Sequence, residues 1–167
     1  MKRAALLIAL AAPALTACGL QPLYGGPQGA SARAVLGNVD VAPIEGQSGW
    51  LVTQALRDRL GAVPQGSGPR YRLDIVLDDQ ITGLGTRRDD SISRERRTLR
   101  ARYQLVDAAS GVVLIDDTAG SDAGIDVVDS EYATIAAERT ALERLSGIVA
   151  DQIVARLALY ARRAEVQ

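Results

Sequence analysis

Apolar and polar residues alternate most regularly between Tyr71 and Asp78. Tyr71, Leu73, Ile75 and Leu77 fall on one side of an extended chain, and Arg72, Asp74, Val76 and Asp78 on the other. A period of two predicts a strand with one dry face. The pattern returns from about Ser93 to Val106. Leu99, Ala101, Tyr103 and Leu105 make the dry face there, and Arg94, Arg96, Thr98, Arg100, Arg102 and Gln104 the polar one. Residues 79–92 between them read as a long hairpin connection or two ragged strand ends, and Gly83 and Gly85 suggest a bulge or a mobile tip. Asp107 to Gly111 is a tight turn, after which a further strand is expected from Val112 to about Ser121, with a loop over 122–129. Three strands joined this way form an antiparallel meander. An earlier strand is expected over 33–42, where Val35, Val39 and Val41 share a face and Pro43 ends the run.

Two stretches carry helical spacing. From Trp50 to Leu60, Leu51, Ala55, either Leu56 or Arg59, and Leu60 lie near one face; Ser48 is the expected cap and Gly61 the expected stop. The second helix is expected from Ser130 to Arg163. Ile135, Leu142, Leu145, Val149, Ile153, Leu157 and Tyr160 form its apolar stripe, and Ala133, Ala136, Ala137 and Ala141 allow close approach. Ser130 suits its N-cap, Glu131 its first turn, and Arg162 and Arg163 its last. Gly147, in mid-helix, marks a slight bend or a close contact. The order is β-α-β-β-β-α. It predicts an α/β (α+β) two-layer sandwich, with a mostly antiparallel four-stranded sheet covered on one face by two helices. The other face must meet water or another protein.

The amino-terminal stretch changes the picture from a soluble domain to an anchored one. Lys2 and Arg3 precede a short apolar run, Ala4 to Ala14, well below the roughly 20 residues that span a bilayer. Leu15, Thr16, Ala17 and Cys18 then have the form of a lipobox, in which small side chains precede a cysteine that takes a thioether-linked diacylglycerol and, after cleavage, an N-acyl chain. Cys18 is the only cysteine, so no internal disulfide is available, and lipidation removes a thiol that an oxidising compartment would attack. The expected division is a cleaved signal at 1–17, a lipidated tether at 18–31, one α/β domain at 32–163 and a tail at 164–167. Leu23 and Tyr24 are the large side chains of the tether; they pack back on the domain or touch a partner.

Charge and chemistry narrow the function. Nineteen basic residues less Lys2 and Arg3 leave 17 against 20 acids after cleavage, a formal charge of −3. Nucleic acid is therefore not an expected partner. With no histidine and one cysteine, neither a His-based triad nor a soft metal site is available, and no cofactor is expected beyond the lipid on Cys18. The Asp78-Asp79, Asp89-Asp90 and Asp116-Asp117 pairs do not form acid/base sites, since neighbours on a strand point to opposite faces. Arginine carries the remaining signal: Arg87, Arg88, Arg94, Arg96, Arg97, Arg100 and Arg102 crowd into 16 residues. Guanidinium groups bind phosphate and carboxylate bidentately. Arg100 and Arg102 either pair with Asp74 and Asp78 on the adjacent strand or stay open to a partner. Arg87, Arg88, Arg94 and Arg96 outnumber the carboxylates near them and suit an anionic ligand or partner.

The run CGLQPLYG from Cys18 resembles the start of the alphaproteobacterial lipopolysaccharide-assembly lipoproteins of the LptE family. The likeness extends to the element order, to the strand pair RARYQLVDAASGVVL and to the helix introduced by SEYATIAAERTALERL. It implies a non-enzymatic outer-membrane lipoprotein, anchored on the periplasmic side. Such a protein plugs and helps assemble an LptD-type β-barrel, with one copy per barrel, and assists lipopolysaccharide transport and insertion at the outer leaflet. It also implies basic residues turned to lipid phosphates; here the arginines around the second hairpin are candidates only as a class. The alternative from the same layout is an auxiliary lipoprotein of an ABC-type lipid transporter, acting as a periplasmic binding or interaction module.

Overall fold

The computed structural model describes residues 28–63, 70–86, 92–128 and 130–164. Cys18, the lipobox residues Leu15, Thr16 and Ala17, the tether residues Leu23 and Tyr24, and Arg87 and Arg88 lie outside the described residues. In chain order the elements are α1 (Gln28–Leu36), β1 (Val39–Val41), α2 (Gly46–Gly61), β2 (Tyr71–Thr86), β3 (Ile92–Asp107), β4 (Val113–Asp126) and α3 (Glu131–Ala164). The strands form one sheet in the order β1-β2-β3-β4. β1 lies parallel to β2, and the other pairings are antiparallel. The helices pack on one face, giving the expected two-layer sandwich.

The amino-terminal strand is shorter than its valine pattern implies. Residues 33–36 belong to α1, which begins at Gln28, inside the stretch expected to be tether. Ala32 and Leu36 are fully buried and Val35 partly so. Their i, i+3, i+4 spacing puts them on one helical face. The alternation of Val35, Val39 and Val41 crosses an element boundary: Gly37 N–H and the Asn38 side chain donate to the carbonyls of Arg33 and Ala34 at 2.9 and 2.8 Å and close the helix there.

In α2 the buried positions are Gly49, Val52, Thr53, Leu56 and Leu60. Leu51 and Ala55 are only partly buried, so the stripe is rotated from the expected one. Ser48 lies inside the helix; Glu45 is the N-cap residue and makes no side-chain cap bond. Gly49 is required by contact, because a Cβ there would sit 2.6 Å from the Ile44 carbonyl oxygen.

β2 and β3 run through most of residues 79–92, expected as a long hairpin connection or two ragged strand ends, and the strands there are regular rather than ragged. Gly83 sits opposite Glu95 in regular register, so no bulge occurs at that glycine. The register shift falls between Leu105 and Val106, where β3 meets β4. β4 also continues to Asp126, through most of the expected loop. Inside the sandwich, Leu73, Leu99, Ala101, Tyr103 and Leu105 meet Leu142, Leu145, Val149, Ile153 and Leu157 of α3 in one core. The first turns of α3 behave differently. Ala133, Ile135, Ala136 and Ala137 are exposed, so the apolar stripe begins at Ala141 rather than at Ile135. Ser130 caps this helix as expected, its Oγ accepting from Ala133 N–H at 3.4 Å. At Gly147 the carbonyl accepts from Arg59 Nη2 at 3.1 Å, and a Cβ would stand 3.6 Å from that nitrogen, an ordinary contact that does not require glycine.

Candidate interaction face of the sheet

The even-numbered positions of β2, β3 and β4 point away from the helices. Together with Asp40 of β1 they place Arg72, Arg94, Arg96, Arg100 and Arg102 on the open face, beside Asp40, Asp74, Asp78, Asp116, Asp122 and Asp126. Five cations and six carboxylates nearly cancel among the described residues, so the face is polar without being basic.

Arg100 and Arg102 are paired, but not with β2. Arg102 Nη2 meets Asp116 at 2.9 Å and Arg100 Nη2 meets Asp122 at 3.2 Å, both on β4. Arg94 Nε reaches Asp126 at 3.1 Å, also on β4. Strand register alone left both directions open, since Arg100 lies between Asp78 on β2 and Gly120 on β4. Gly120 decides the direction. The Arg100 side chain lies over it, and a Cβ at 120 would collide with the Arg100 Cδ. The bare glycine gives Arg100 a path to the Ser121 carbonyl at 3.1 Å and on to Asp122.

These contacts bias the ionisation of several groups on the face. The Arg102 guanidinium, helped by the Gln104 amide, holds the Asp116 carboxyl below the ordinary carboxylate range. The Thr98 hydroxyl, followed by Arg100, does the same for Asp122. In turn Asp116 raises Arg102, and Asp74 raises its neighbour Arg72. Exposed pairs like these contribute little stability singly, but they order the side chains into a fixed lattice. Arg96 differs from the rest: no described side chain forms an ion pair with it, and it faces Gly124 and Thr82. Of the expected anion-binding arginines that the structure describes, Arg96 is therefore the open one and Arg94 is engaged.

Arg97 points to the other side. Its odd parity places it on the helix-covered face, where Nε and Nη2 grip Asp79 at 2.8 and 2.7 Å and Nη1 donates to the Glu138 carbonyl at 3.1 Å. Parity along β3 was the signal for this. The partner of Arg97, Asp79, lies within β2, at the start of the stretch expected as a long hairpin connection or two ragged strand ends. Nothing among the described residues gathers three or more potential metal ligands, and no described helix is long and apolar enough to cross a membrane.

Comparison with known proteins adds to this geometry. The lipopolysaccharide-assembly family LptE matches residues 36–157. A lipoprotein of known structure from Caulobacter crescentus CB15 is similar at 24% identity and a TM-score of 0.63, covering 79% of this chain and 96% of that one. Rare lipoprotein B from Shewanella oneidensis is similar at 10% identity and a TM-score of 0.57, covering 77% of this chain and 97% of that one. Lipoprotein B from Nitrosomonas europaea is similar at 12% identity with the same TM-score of 0.57, covering 73% and 81%. At these identities the structures show a shared fold. A comparison with curated protein sequences gives no match.

Proposed function

Because the chain belongs to the LptE lipopolysaccharide-assembly family, and is thus a non-enzymatic outer-membrane lipoprotein on the periplasmic side, we propose that it plugs and helps assemble an LptD-type β-barrel. In this reading one copy serves one barrel and assists lipopolysaccharide transport and insertion at the outer leaflet. The lipid on Cys18 holds the chain at the membrane while the barrel forms around the domain. The observation that carries the reading is the open sheet face. Among the described residues it is uncovered by helices, almost neutral and laced by Arg–Asp pairs, which suits the polar, water-lined interior of a large barrel. A lipid-facing surface would be apolar instead. Arg96, together with Arg87, Arg88 and Arg94, is the candidate contact for lipopolysaccharide phosphates or the barrel wall, because Arg96 forms no ion pair among the described residues and a guanidinium can bind such groups bidentately. Arg100 and Arg102 contribute to the barrel-facing lattice through their paired state. The family match favours this reading over a transporter subunit.

The test is co-expression of the lipidated chain with the large barrel subunit of the same organism, followed by purification in detergent. A stable one-to-one complex is expected, and depletion of the chain is expected to lower surface lipopolysaccharide. No complex, with surface lipopolysaccharide unchanged on depletion, would sink the proposal.

A further inference from the structure

The two edges of the sheet are treated differently. On β4, Gly120 N–H donates to Gln152 Oε1 at 2.9 Å and Gln152 Nε2 donates back to the Gly120 carbonyl at 3.3 Å. One side-chain amide of α3 thus makes the two bonds that a neighbouring strand would make. Beside it, Arg156 holds Asp117 at 2.8 Å. Its own helix thus engages this edge at its middle, at Gly120.

β2 has no such cover among the described residues. β1 pairs with it only from Tyr71 to Leu73. Tyr71 N–H donates to the Asn38 carbonyl and the Leu73 carbonyl accepts from Ala42 N–H, each at 3.0 Å, so odd-numbered residues of β2 turn their backbone groups to the outer edge. By strand alternation Ile75, Leu77, Asp79, Ile81 and Gly83 present further outward N–H and C=O groups. From Asp74 to Thr86 the free edge is about 40 Å long at about 3.4 Å per residue. Exposed edges are commonly blunted by charged side chains, proline or a bulge. Here the strand has no proline and the pairing with β3 keeps one register from Tyr71 to Thr86, so its charges, mostly carboxylates, decide what can add to it.

The side chains along this edge have a definite polarity. Asp74 and Asp78 lie opposite Gln104 and Arg100 of β3, but both of those turn to β4, Gln104 to Asp116 and Arg100 to Asp122. Asp74 is left with Arg72 of its own strand, and Asp78 with the Gln80 amide. Between the two carboxylates Val76 is 73% exposed. The geometry points to the β2 edge as a strand-addition site for an extended basic segment of a partner protein. That segment places cations against Asp74 and Asp78 and an apolar side chain against Val76, at i, i+2, i+4 spacing. Main-chain bonds supply the affinity and the alternating side chains the selection. The inference rests on the edge and its charges, independent of the barrel assignment.

The test uses the full lipidated chain in detergent micelles and the peptide acetyl-Thr-Arg-Thr-Val-Thr-Arg-Thr-amide, with a control carrying Glu for each Arg. Backbone amide exchange is followed by NMR. Saturating Arg peptide is expected to slow exchange at Ile75, Leu77 and Asp79 by about tenfold or more, with the Glu peptide without effect. The doubly substituted chain, Asp74→Arg with Asp78→Arg, is expected to reverse that preference. N-methylation of alternate peptide residues, one set at a time, is expected to abolish protection for one set only, which leaves the protein itself unchanged. Unaltered exchange, or equal protection by both peptides, overturns the inference. So does concentration-dependent protection without peptide, which would assign the edge to a second copy of the chain.

Discussion

Arg97 and Asp79 form a two-pronged ion pair across β3 and β2, with Nε and Nη2 at 2.8 and 2.7 Å from the two carboxylate oxygens. The side chains are only 13% and 19% exposed, and the third guanidinium contact goes to the Glu138 carbonyl of α3. The pair therefore ties the middle of the hairpin strands to the helix where the apolar stripe of α3 has run out. Arg97 is held in its charged form chiefly by its hydrogen bonds to Asp79. Removing one partner strands the other in a mostly dry site. Arg97→Met alone is expected to cost about 2–3 kcal/mol, below the range for fully buried pairs, while the double variant with Asp79→Leu recovers much of that loss. Denaturant titration of the four chains in a double-mutant cycle measures the coupling. Additive losses would mean the pair is not a unit.

Gly120→Ala is expected to destabilise the protein by about 1–3 kcal/mol through overpacking. The added methyl meets both the Arg100 side chain and the Leu99 carbonyl. Arg100→Ala in the same chain removes the first collision and is expected to restore part of the stability. Thermal melts of the single and double variants decide this.

Acid weakens the open-face lattice in a predictable direction. Asp116 and Asp122 have folded values below the ordinary 3.8. Their contribution is therefore present above 3.8 and is lost as pH falls through the lower folded values. Melting temperature is expected to hold between pH 7 and about 5 and to drop below about 4. Arg102→Gln shallows that drop by removing the main cause of the Asp116 shift. A drop of the same steepness in the variant would refute the assignment.

At the alkaline end Tyr103 has the larger shift, with Tyr71 raised in the same direction. Burial, with a smaller push from Asp117, raises the Tyr103 hydroxyl from 10.0 to about 12. A raised folded value stabilises the fold below the unfolded value, and that contribution disappears as pH climbs through the folded one. Stability is expected to decline between pH 10 and 12. Tyr103→Phe is expected to flatten the decline, which ultraviolet titration of tyrosinate alongside circular dichroism can follow.

Arg96 and Arg102 separate ligand contact from lattice packing. Arg96→Glu is expected to weaken lipopolysaccharide or barrel binding by roughly tenfold, the loss of one charge-assisted bidentate contact. Arg102→Gln, which removes a guanidinium already engaged by Asp116, is expected to change it much less. Pull-down with the barrel subunit and binding to lipopolysaccharide micelles are the measurements. Equal effects would remove Arg96 from the proposed contact.

Local chemistry was enough to place the strand faces. The period of two from Tyr71 to Leu77 and from Leu99 to Leu105 puts dry residues on one side because successive side chains alternate, and the structure buries or partly buries every one of them. The core stripe of α3 from Leu142 to Leu157 was equally legible, as was the Ser130 cap. Where α1 ends and β1 begins was not legible. Val35, Val39 and Val41 satisfy a strand pattern, while Ala32, Val35 and Leu36 satisfy a helical one. Packing of α1 against α3 chooses between them. The exposed start of α3 was likewise hidden, because a periodic apolar stripe does not say how far its partner surface extends.

The arginine cluster shows the same division. Its residue types and parity follow from the sequence: the even positions share the open face and Arg97 takes the other. Which carboxylates they meet does not follow, because a long guanidinium side chain on a central strand can lean toward either neighbour. The bare Gly120 and the placement of Asp116, Asp122 and Asp126 on β4 turn the described pairs that way. That choice leaves Asp74 and Asp78 on the uncovered edge of β2. The difference between an edge engaged at Gly120 and one left open arises only when α3 folds across β4, since it depends on residues far apart in the chain meeting in space.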